Sequence, residues 1–587
     1  MLQDLSQQSV ECLGVSGALW KLSTPPYRDV VAIRQRFGLT EVVAQVLAVK
    51  QIPLEDIGSF LNPTLKLLLP DPFHLLDMDK AVARLCYALA NNESVVIFGD
   101  YDVDGATSSA MLKRYLNNIG VKATIYIPDR IEEGYGPNSA ALINLKKLGH
   151  SLCITVDCGT VAHKPLAAAK ACGLDVIVVD HHMGSDILPD AVAVINPNRL
   201  DESSAYTYLS GVGTSFILLV ALHKTLRQRD FFRGKEEPDL MRYLDLVALG
   251  TVCDVMPMLK LNRAFVKQGL RVLAERNNVG LRVLSDIIGI DELPTTYHLG
   301  FSIGPHINAG GRVGNSSLGA RLLSSDDTFE CASIATLLVK LNAERKEIEM
   351  ASLVEATAQA EQLVAAGKKI IMVAGNWHMG VIGIVAGRLK ERFFLPAIVI
   401  SLGDKDMGKA SARSVPGVDI GAAVLSAKLE GIIPEGGGHE MAAGFSVHRD
   451  SIDRLYEFLL QKVAHIEIQK YYIASGVLAT EAVSTRLCRE LQLLEPYGTG
   501  NPEPRFILKN VRIKNPAIVG ASNIRCSIDD GSGITVRGIC FKCMGSTLGE
   551  GLLRQTRCVN LLGKVSMNYW RGNEYVQFVI DDLAEVN

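Results

Sequence analysis

The sequence predicts an α/β chain whose largest domain is built on a parallel sheet. Short apolar runs alternate with stretches of helical length, the pattern of buried parallel strands joined by helical crossovers. Acidic clusters follow several of those runs directly, and β-rich runs gather towards the end of the chain.

Residues 1–70 read as a mixed, mainly helical lead-in with no assignable function. From 71 to 325 the strand–helix alternation is clear. SVVIFG at 94–99 is followed by GDYDVDG and the helix-like ATSSAMLKRYLNNI. TIYIP at 124–128 precedes NSAALINLKKLG, and SLCITVD at 151–157 precedes a helix ending near Gly173. DVIVVD then ends in the pair His181–His182, and MRYLDLVALGTV leads to Asp254. Residues 326–366 keep apolar positions at helical spacing and predict one long connecting helix. Residues 367–465 return to an α/β pattern with IIMVAG, VIGIVAGRLKERF and PAIVIS. The runs of 466–587, including VRGICF and VQFVIDDL, suit a β-barrel of the OB type, a fold that often holds single strands. Tyr497, Tyr569 and Trp570 there are candidates either to stack on bases or to fill the barrel core.

In parallel sheets ligands collect beyond the carboxyl ends of the strands. The acidic groups after the apolar runs therefore converge, bringing Asp100, Asp102, Asp104, Asp157, Asp180, His181 and His182 together, with Asp254 supplied by the fold. Carboxylate and imidazole are ligands for Mn²⁺ or Mg²⁺, whereas a zinc site would call on thiolates. So many buried carboxylates without cations would be prohibitively costly. Paired cations serve displacement at phosphorus, so the pattern reads as a metal-dependent phosphoesterase.

The 48% apolar content suits several globular cores, and a net charge of −3 excludes a general polyanion binder. Any nucleic-acid site must be a local basic channel. No run reaches membrane-span length and MLQDLSQQS lacks signal-peptide features, so a cytoplasmic protein is expected. Cysteines such as Cys153, Cys158 and Cys253 lie in apolar runs and read as core thiols. Cys540 and Cys543 form a lone CxxC in a strand-like segment, where alternate facing disfavours chelation.

GDYDVDG, VDCGT, VDHH and GTVCDVMP resemble the successive motifs of the DHH phosphoesterase superfamily. GKASARSVPGVD (408–419) and GGGHEMAAGF (436–445) resemble its DHHA1 accessory domain. Together with GPHINAGGRVG (304–314), NWHMGVIGIVAGRLKERF (376–393), LEPYGTGNPEPRF (494–506) and the β-rich tail, they resemble the RecJ family from about residue 70 onwards. The resemblance implies a DHH catalytic domain joined by the long helix to DHHA1, then an OB-like domain. It implies a single-strand-specific 5′→3′ DNA exonuclease that releases 5′-mononucleotides with two Mn²⁺ or Mg²⁺ ions and no ATP. The glycine run lacks the Lys-Ser/Thr of a nucleotide-triphosphate loop, which agrees.

By the same resemblance Asp102 and Asp104 each serve one metal, Asp157 bridges, and His181 and Asp254 complete the second site. His182 contacts the scissile phosphate and Asp180 orients its neighbours. Arg130, Ser411 and Arg413 form a pocket for the 5′ end. Asn308 and Arg312 contact the strand near the scissile bond, and Gly437, Gly438 and His439 offer backbone amides and an imidazole. Two positions depart from the family: Phe98 stands where some members have a metal-binding histidine, and His306 where arginine is common. Single-strand-binding protein, a RecQ-type helicase and roles in recombination and mismatch repair are also implied. A small-substrate DHH enzyme, a metal-free DNA-binding scaffold and an RNase are the competing readings. The β-rich tail and the nearly complete acid set disfavour the first two.

Overall fold

The structure is a computed structural model that describes residues 8–130, 133–403, 406–554, 558–570 and 573–586. The chain divides into two compact units. One comprises Met1–Leu67, Met258–Arg263 and Gln469–Asn587, and the other Leu68–Pro257 and Ala264–Ile468.

The second unit contains two five-stranded sheets. In the first, all strands are parallel, in the order Lys122–Tyr126, Ser94–Gly99, Leu152–Val156, Asp175–Val179, Ala193–Ile195. Their residues are almost continuously buried, because helices cover both faces of such a sheet. The chain leaves Ser94–Gly99 towards one edge and returns to Leu152–Val156 on its other side. That reversal opens a crevice where neighbouring crossovers diverge, the usual ligand position in open α/β sheets.

Helix Thr328–Ala365 follows, started by Asp327, whose carboxylate accepts from the Phe329 and Glu330 amides. In its middle the buried Arg345 pairs with Glu349 at 2.5 Å. The second sheet runs Glu435–His439, Ala442–His448, Met407–Arg413, Ala397–Ser401, Ile371–Gly375. Only its last pair is parallel, joined by the crossover helix Ile382–Phe393. Its strands have buried aliphatic faces that pack with helices Ile420–Leu429 and Ile452–Val463.

In the first unit, strands Arg505–Val519, Asn523–Asp529, Thr535–Cys540, Asn573–Glu585 and Cys558–Trp570 close on themselves through the first and last. Closure removes exposed edges, as in an OB barrel. Residues from the lead-in belong to this unit. The hairpin Gln8–Leu13/Leu19–Ser23 lies beside Tyr471–Leu478, and helices Tyr27–Phe37 and Glu41–Val49 share the barrel's apolar core through Ile33, Val43 and Leu47. Fully buried Trp20 donates its indole N–H to Asp582 Oδ2 at 2.9 Å, and the Ser16 hydroxyl donates to the same oxygen at 2.7 Å.

The CxxC behaves differently from an alternating strand. The strand ends at Cys540, the chain turns, and both Cys540 and Cys543 enter the barrel core with Cys526. No cysteine belongs to a metal-ligand group among the described residues. Tyr497, a candidate for base stacking, is half-buried against that core and its hydroxyl donates to the Leu491 carbonyl at 2.7 Å. The side chains of Tyr569 and Trp570, also candidates for stacking, lie outside the described residues.

Candidate metal centre

Each acidic residue is aimed by a specific local device. Asp102 caps helix Val103–Asn118, accepting from the amides of Asp104 and Gly105 at 2.9 and 3.1 Å. Asp104, in the first turn, faces the start of helix Gly211–Gln228 and accepts from the Gly211 and Val212 amides at 2.6 and 2.9 Å. The positive end of that helix favours a carboxylate. A Cβ at Gly211 would stand 2.9 Å from Asp104 Oδ2, and one at Gly250 2.7 Å from its Oδ1. Glycine is therefore required on both sides of the carboxylate. Asp157 turns out of strand Leu152–Val156 in the left-handed conformation, φ 60°, a strained state for aspartate that re-aims its side chain.

Asp180 is the best-satisfied of the set. It accepts from the amides of Thr160, His181 and His182 and from His182 Nδ1, the last at 2.8 Å. Burial alone would raise its pKa, but the His182 hydrogen bond and both imidazoles hold it below the ordinary carboxylate range. Conversely, burial opposes charge on His182, while the Asp180 hydrogen bond and charge raise its pKa overall.

His181 stands at the centre. Its Nε2 is 3.1 Å from Asp157 Oδ1, 3.4 Å from Asp254 Oδ2 and 3.9 Å from Asp104 Oδ2. The Leu209 backbone engages the imidazole, while burial and the His182 charge lower its pKa to about 4. A neutral imidazole with its other nitrogen on a backbone carbonyl presents Nε2 as a lone pair. Nε2 and ionised Asp157 Oδ1 are then both acceptors, so a proton or a cation must lie between them. Asp254 Oδ2 and Asp100 Oδ1 are buried without hydrogen-bond partners. Burial, then mutual carboxylate repulsion, pushes Asp100, Asp157 and Asp254 well above the usual range and Asp104 up to about 7.

Three groups of ligand atoms lie within 4.8 Å of one another: Asp157, His181, His182; Asp104, His181, Asp254; and Asp100, Asp102, Asp157. Asp157 and His181 each belong to two. All five residues expected as metal ligands thus meet at the sheet's crevice. The oxygen-rich donors and unsatisfied carboxylates fit hard divalent cations such as Mn²⁺ or Mg²⁺. Phe98 contributes nothing to this cluster; its ring is fully buried in the apolar core, 5.2 Å from Tyr126.

A basic wall is drawn from both lobes of the second unit. Arg312 donates to the Gly380 carbonyl at 2.9 Å, and burial plus the charges of Arg130, Arg345 and Arg413 lowers its pKa to about 10. Arg413 Nη1 donates to Ser411 Oγ at 3.2 Å and to the Ala412 carbonyl at 2.8 Å. The Arg130 guanidinium lies 4.8 Å from the Tyr101 ring centre. No carboxylate forms an ion pair with Arg130, Arg312 or Arg413 among the described residues, so an anion would complete this wall. Asn308 lies one turn before Arg312 on helix Gly304–Val313. His306 Nδ1 is bound to the Ser302 carbonyl oxygen at 2.7 Å.

The glycine run forms an edge strand. A Cβ at Gly438 would meet Ala442 O at 2.4 Å, whereas Gly437 opens to solvent. His439 is exposed at the end of that strand. Sequence reasoning missed Tyr135, whose hydroxyl donates to the Asp157 carbonyl at 3.1 Å and reaches His182 Nδ1 at 3.2 Å. Its signal was EGYG, a turn with left-handed Gly134 and Gly136 around one aromatic. It also missed the helix start at Gly211, signalled by Ser210 as its N-cap.

Three family models match: the DHH family N-terminal domain over residues 94–251, the DHHA1 domain over 366–465, and the RecJ OB domain over 475–582. The single-stranded-DNA-specific exonuclease RecJ of Bacillus subtilis is 31% identical, the match covering 96% of this chain and 70% of that protein. The Salmonella typhimurium protein of that name is 34% identical over 87% of this chain and 90% of its own length. The crystal structure of Thermus thermophilus RecJ with Mn²⁺ superposes with a TM-score of 0.81 at 29% identity, covering 97% of this chain and 80% of that one. A second RecJ structure, bound to manganese, shares 33% identity and covers 68% of this chain and 97% of its own, with a TM-score of 0.57. The matches run through all three domains, and by this end-to-end similarity the chain belongs to the RecJ family.

Proposed function

We propose that this chain is a metal-dependent exonuclease specific for single-stranded DNA, working 5′→3′ and releasing 5′-mononucleotides. One observation carries the reading: His181 Nε2 lies among carboxylate oxygens of Asp104, Asp157 and Asp254, in a chain similar along its length to RecJ exonucleases.

Asp102, Asp104, Asp157, His181 and Asp254 would hold two Mn²⁺ or Mg²⁺ ions, with Asp157 shared. When bound, the ions supply positive charge that activates water and offsets the charge developing on phosphate oxygens. Asp180 fixes His182, which contacts the scissile phosphate and stabilises its added charge. Asn308 and Arg312 hold the strand beside that phosphate so that water attacks in line with the departing 3′ oxygen. A water oxygen–phosphorus bond forms and the phosphorus–O3′ bond breaks. O3′ leaves as the hydroxyl of the first nucleotide after taking up a proton, and that nucleotide departs with the 5′-phosphate it already carried. The attacked phosphate stays as the new 5′-phosphate of the shortened strand. Arg130, Ser411 and Arg413 receive the 5′ end; arginine's planar fork suits phosphate. Gly437, Gly438 and His439 line the same passage. A passage between lobes spaced by Thr328–Ala365 admits one strand and rejects a duplex.

Digestion of strands labelled at either end, with Mn²⁺, Mg²⁺ or chelator, tests the reading. Prompt release of the 5′ label as a mononucleotide supports it, with duplex and RNA resistant and ATP without effect at fixed free metal. Cleavage only of pyrophosphate or very short oligomers would reject it. We further propose that the chain acts in the cytoplasm in recombination and mismatch repair, with single-strand-binding protein and a RecQ-type helicase. Failure of purified single-strand-binding protein to bind the chain or change its rate would remove that partner.

A further inference from the structure

The segment that packs on the end of helix Leu244–Cys253 and runs into the helix of Asn308 and Arg312 carries an aromatic surface that the roles above do not use. Tyr297 and Phe301 stack on each other, ring centres 5.3 Å apart and planes 24° from parallel. Their exposures are 63% and 73%. Tyr297 caps the start of the π-helical segment His298–Ile303 and Phe301 lies within it, a wider turn often found at functional sites.

This segment is wedged onto the helix that delivers Asp254. Cys253 Sγ lies 3.5 Å from the Leu299 carbonyl oxygen, and a Cβ at Gly304 would come within 2.4 Å of that sulfur. Cys253 ends helix Leu244–Cys253, and Asp254 is the next residue. On the other side the chain runs directly into helix Gly304–Val313, which carries Asn308 and Arg312. His306, near the start of that helix, binds the Ser302 carbonyl oxygen through Nδ1. Val255 adds a further exposed apolar side chain immediately after Asp254, in the left-handed conformation. Exposed flat rings next in the chain to a helix that carries Arg312 are the composition of a single-strand path, in which bases stack and the backbone meets positive charge.

We infer that Tyr297 and Phe301 form a stacking platform for an unpaired base of the DNA strand held in the metal centre. The inference rests on the exonuclease reading and deepens it: the enzyme would sense bases as well as phosphates. A stacked base covers the outer ring face without reading its identity, so the platform favours single strands over duplex with little sequence preference. Duplex bases, already stacked on neighbours, cannot use it.

The test compares kcat/KM for a plain single strand with that for strands carrying one abasic site, walked along from the 5′ end, in Mn²⁺. The parent chain should lose about tenfold when the abasic site reaches the platform. Tyr297→Ala/Phe301→Ala should flatten this profile, and Phe301→Leu, which keeps apolar bulk without a π face, should flatten it in part. Phe301→Tyr should restore it. Thermal melting checks that each variant is folded. A position-independent profile in the parent, or the same profile in parent and folded variants, would overturn the platform while leaving the exonuclease reading intact. No digestion of any strand by the parent would overturn that reading and the platform with it.

Discussion

Asp157 belongs to two of the three ligand groups and holds its carboxylate there through a left-handed backbone. Asp157→Ala should lower kcat by at least about a thousandfold while leaving strand affinity nearly unchanged, because the arginine wall is untouched. Turnover and filter binding check both halves. Arg413 makes a different prediction, since its partners are a hydroxyl and a carbonyl and no carboxylate. Arg413→Ala should raise KM for a 5′-phosphorylated strand about tenfold, with lysine a poor substitute. Equal effects on strands with and without the 5′-phosphate would contradict that role. At this scale the sequence was informative wherever a residue stands at a strand end. It was silent on Tyr135, which acts through a carbonyl and an imidazole distant in sequence.

Helix starts do much of the electrostatic work at the next scale. Asp104 is held by the amides that open helix Gly211–Gln228, with Gly250 from helix Leu244–Cys253 close behind it. Gly250→Ala should therefore push Asp104 off its site and weaken Mn²⁺ binding, measured by titration calorimetry, more than it lowers the melting temperature. The hairpin Gln8–Leu13/Leu19–Ser23 is held by Asp582 through Trp20 and Ser16. Asp582→Ala leaves a buried indole N–H unsatisfied and should cost the barrel unit about 2–3 kcal/mol in a denaturant melt. The parallel strands of the first sheet were legible because a continuous apolar run of five or so residues ending in an acid fits a strand buried on both faces. The place of residues 8–67 was not, since pairing between Leu19–Ser23 and Tyr471–Leu478 is set by a contact across nearly the whole chain. Nor was the inward turn of Cys543, which depends on the strand stopping at Cys540.

For the whole molecule, the buried carboxylates couple folding to cation binding. Asp104 rises to about 7 from 3.8 through burial and then repulsion from Asp102. Between those values the unfolded chain ionises while the cation-free fold keeps its proton, so rising pH destabilises the fold. A bound cation favours the ionised carboxylates and offsets that cost. Mn²⁺ should therefore raise the melting temperature more at about pH 8 than at about pH 5.5, and chelation should reverse the gain. The clustering of these groups was legible in the sequence as a requirement, since several buried acids imply cations. Which carboxylates stay unsatisfied, as Asp100 Oδ1 and Asp254 Oδ2 do, needed the three-dimensional arrangement. The most direct measurement is anomalous diffraction at the manganese edge from crystals grown with Mn²⁺. Two peaks about 4 Å apart, bridged by Asp157 and ligated by Asp104, His181 and Asp254, are the predicted result. Peaks elsewhere, or none within reach of Asp157 at saturating Mn²⁺, would contradict the account.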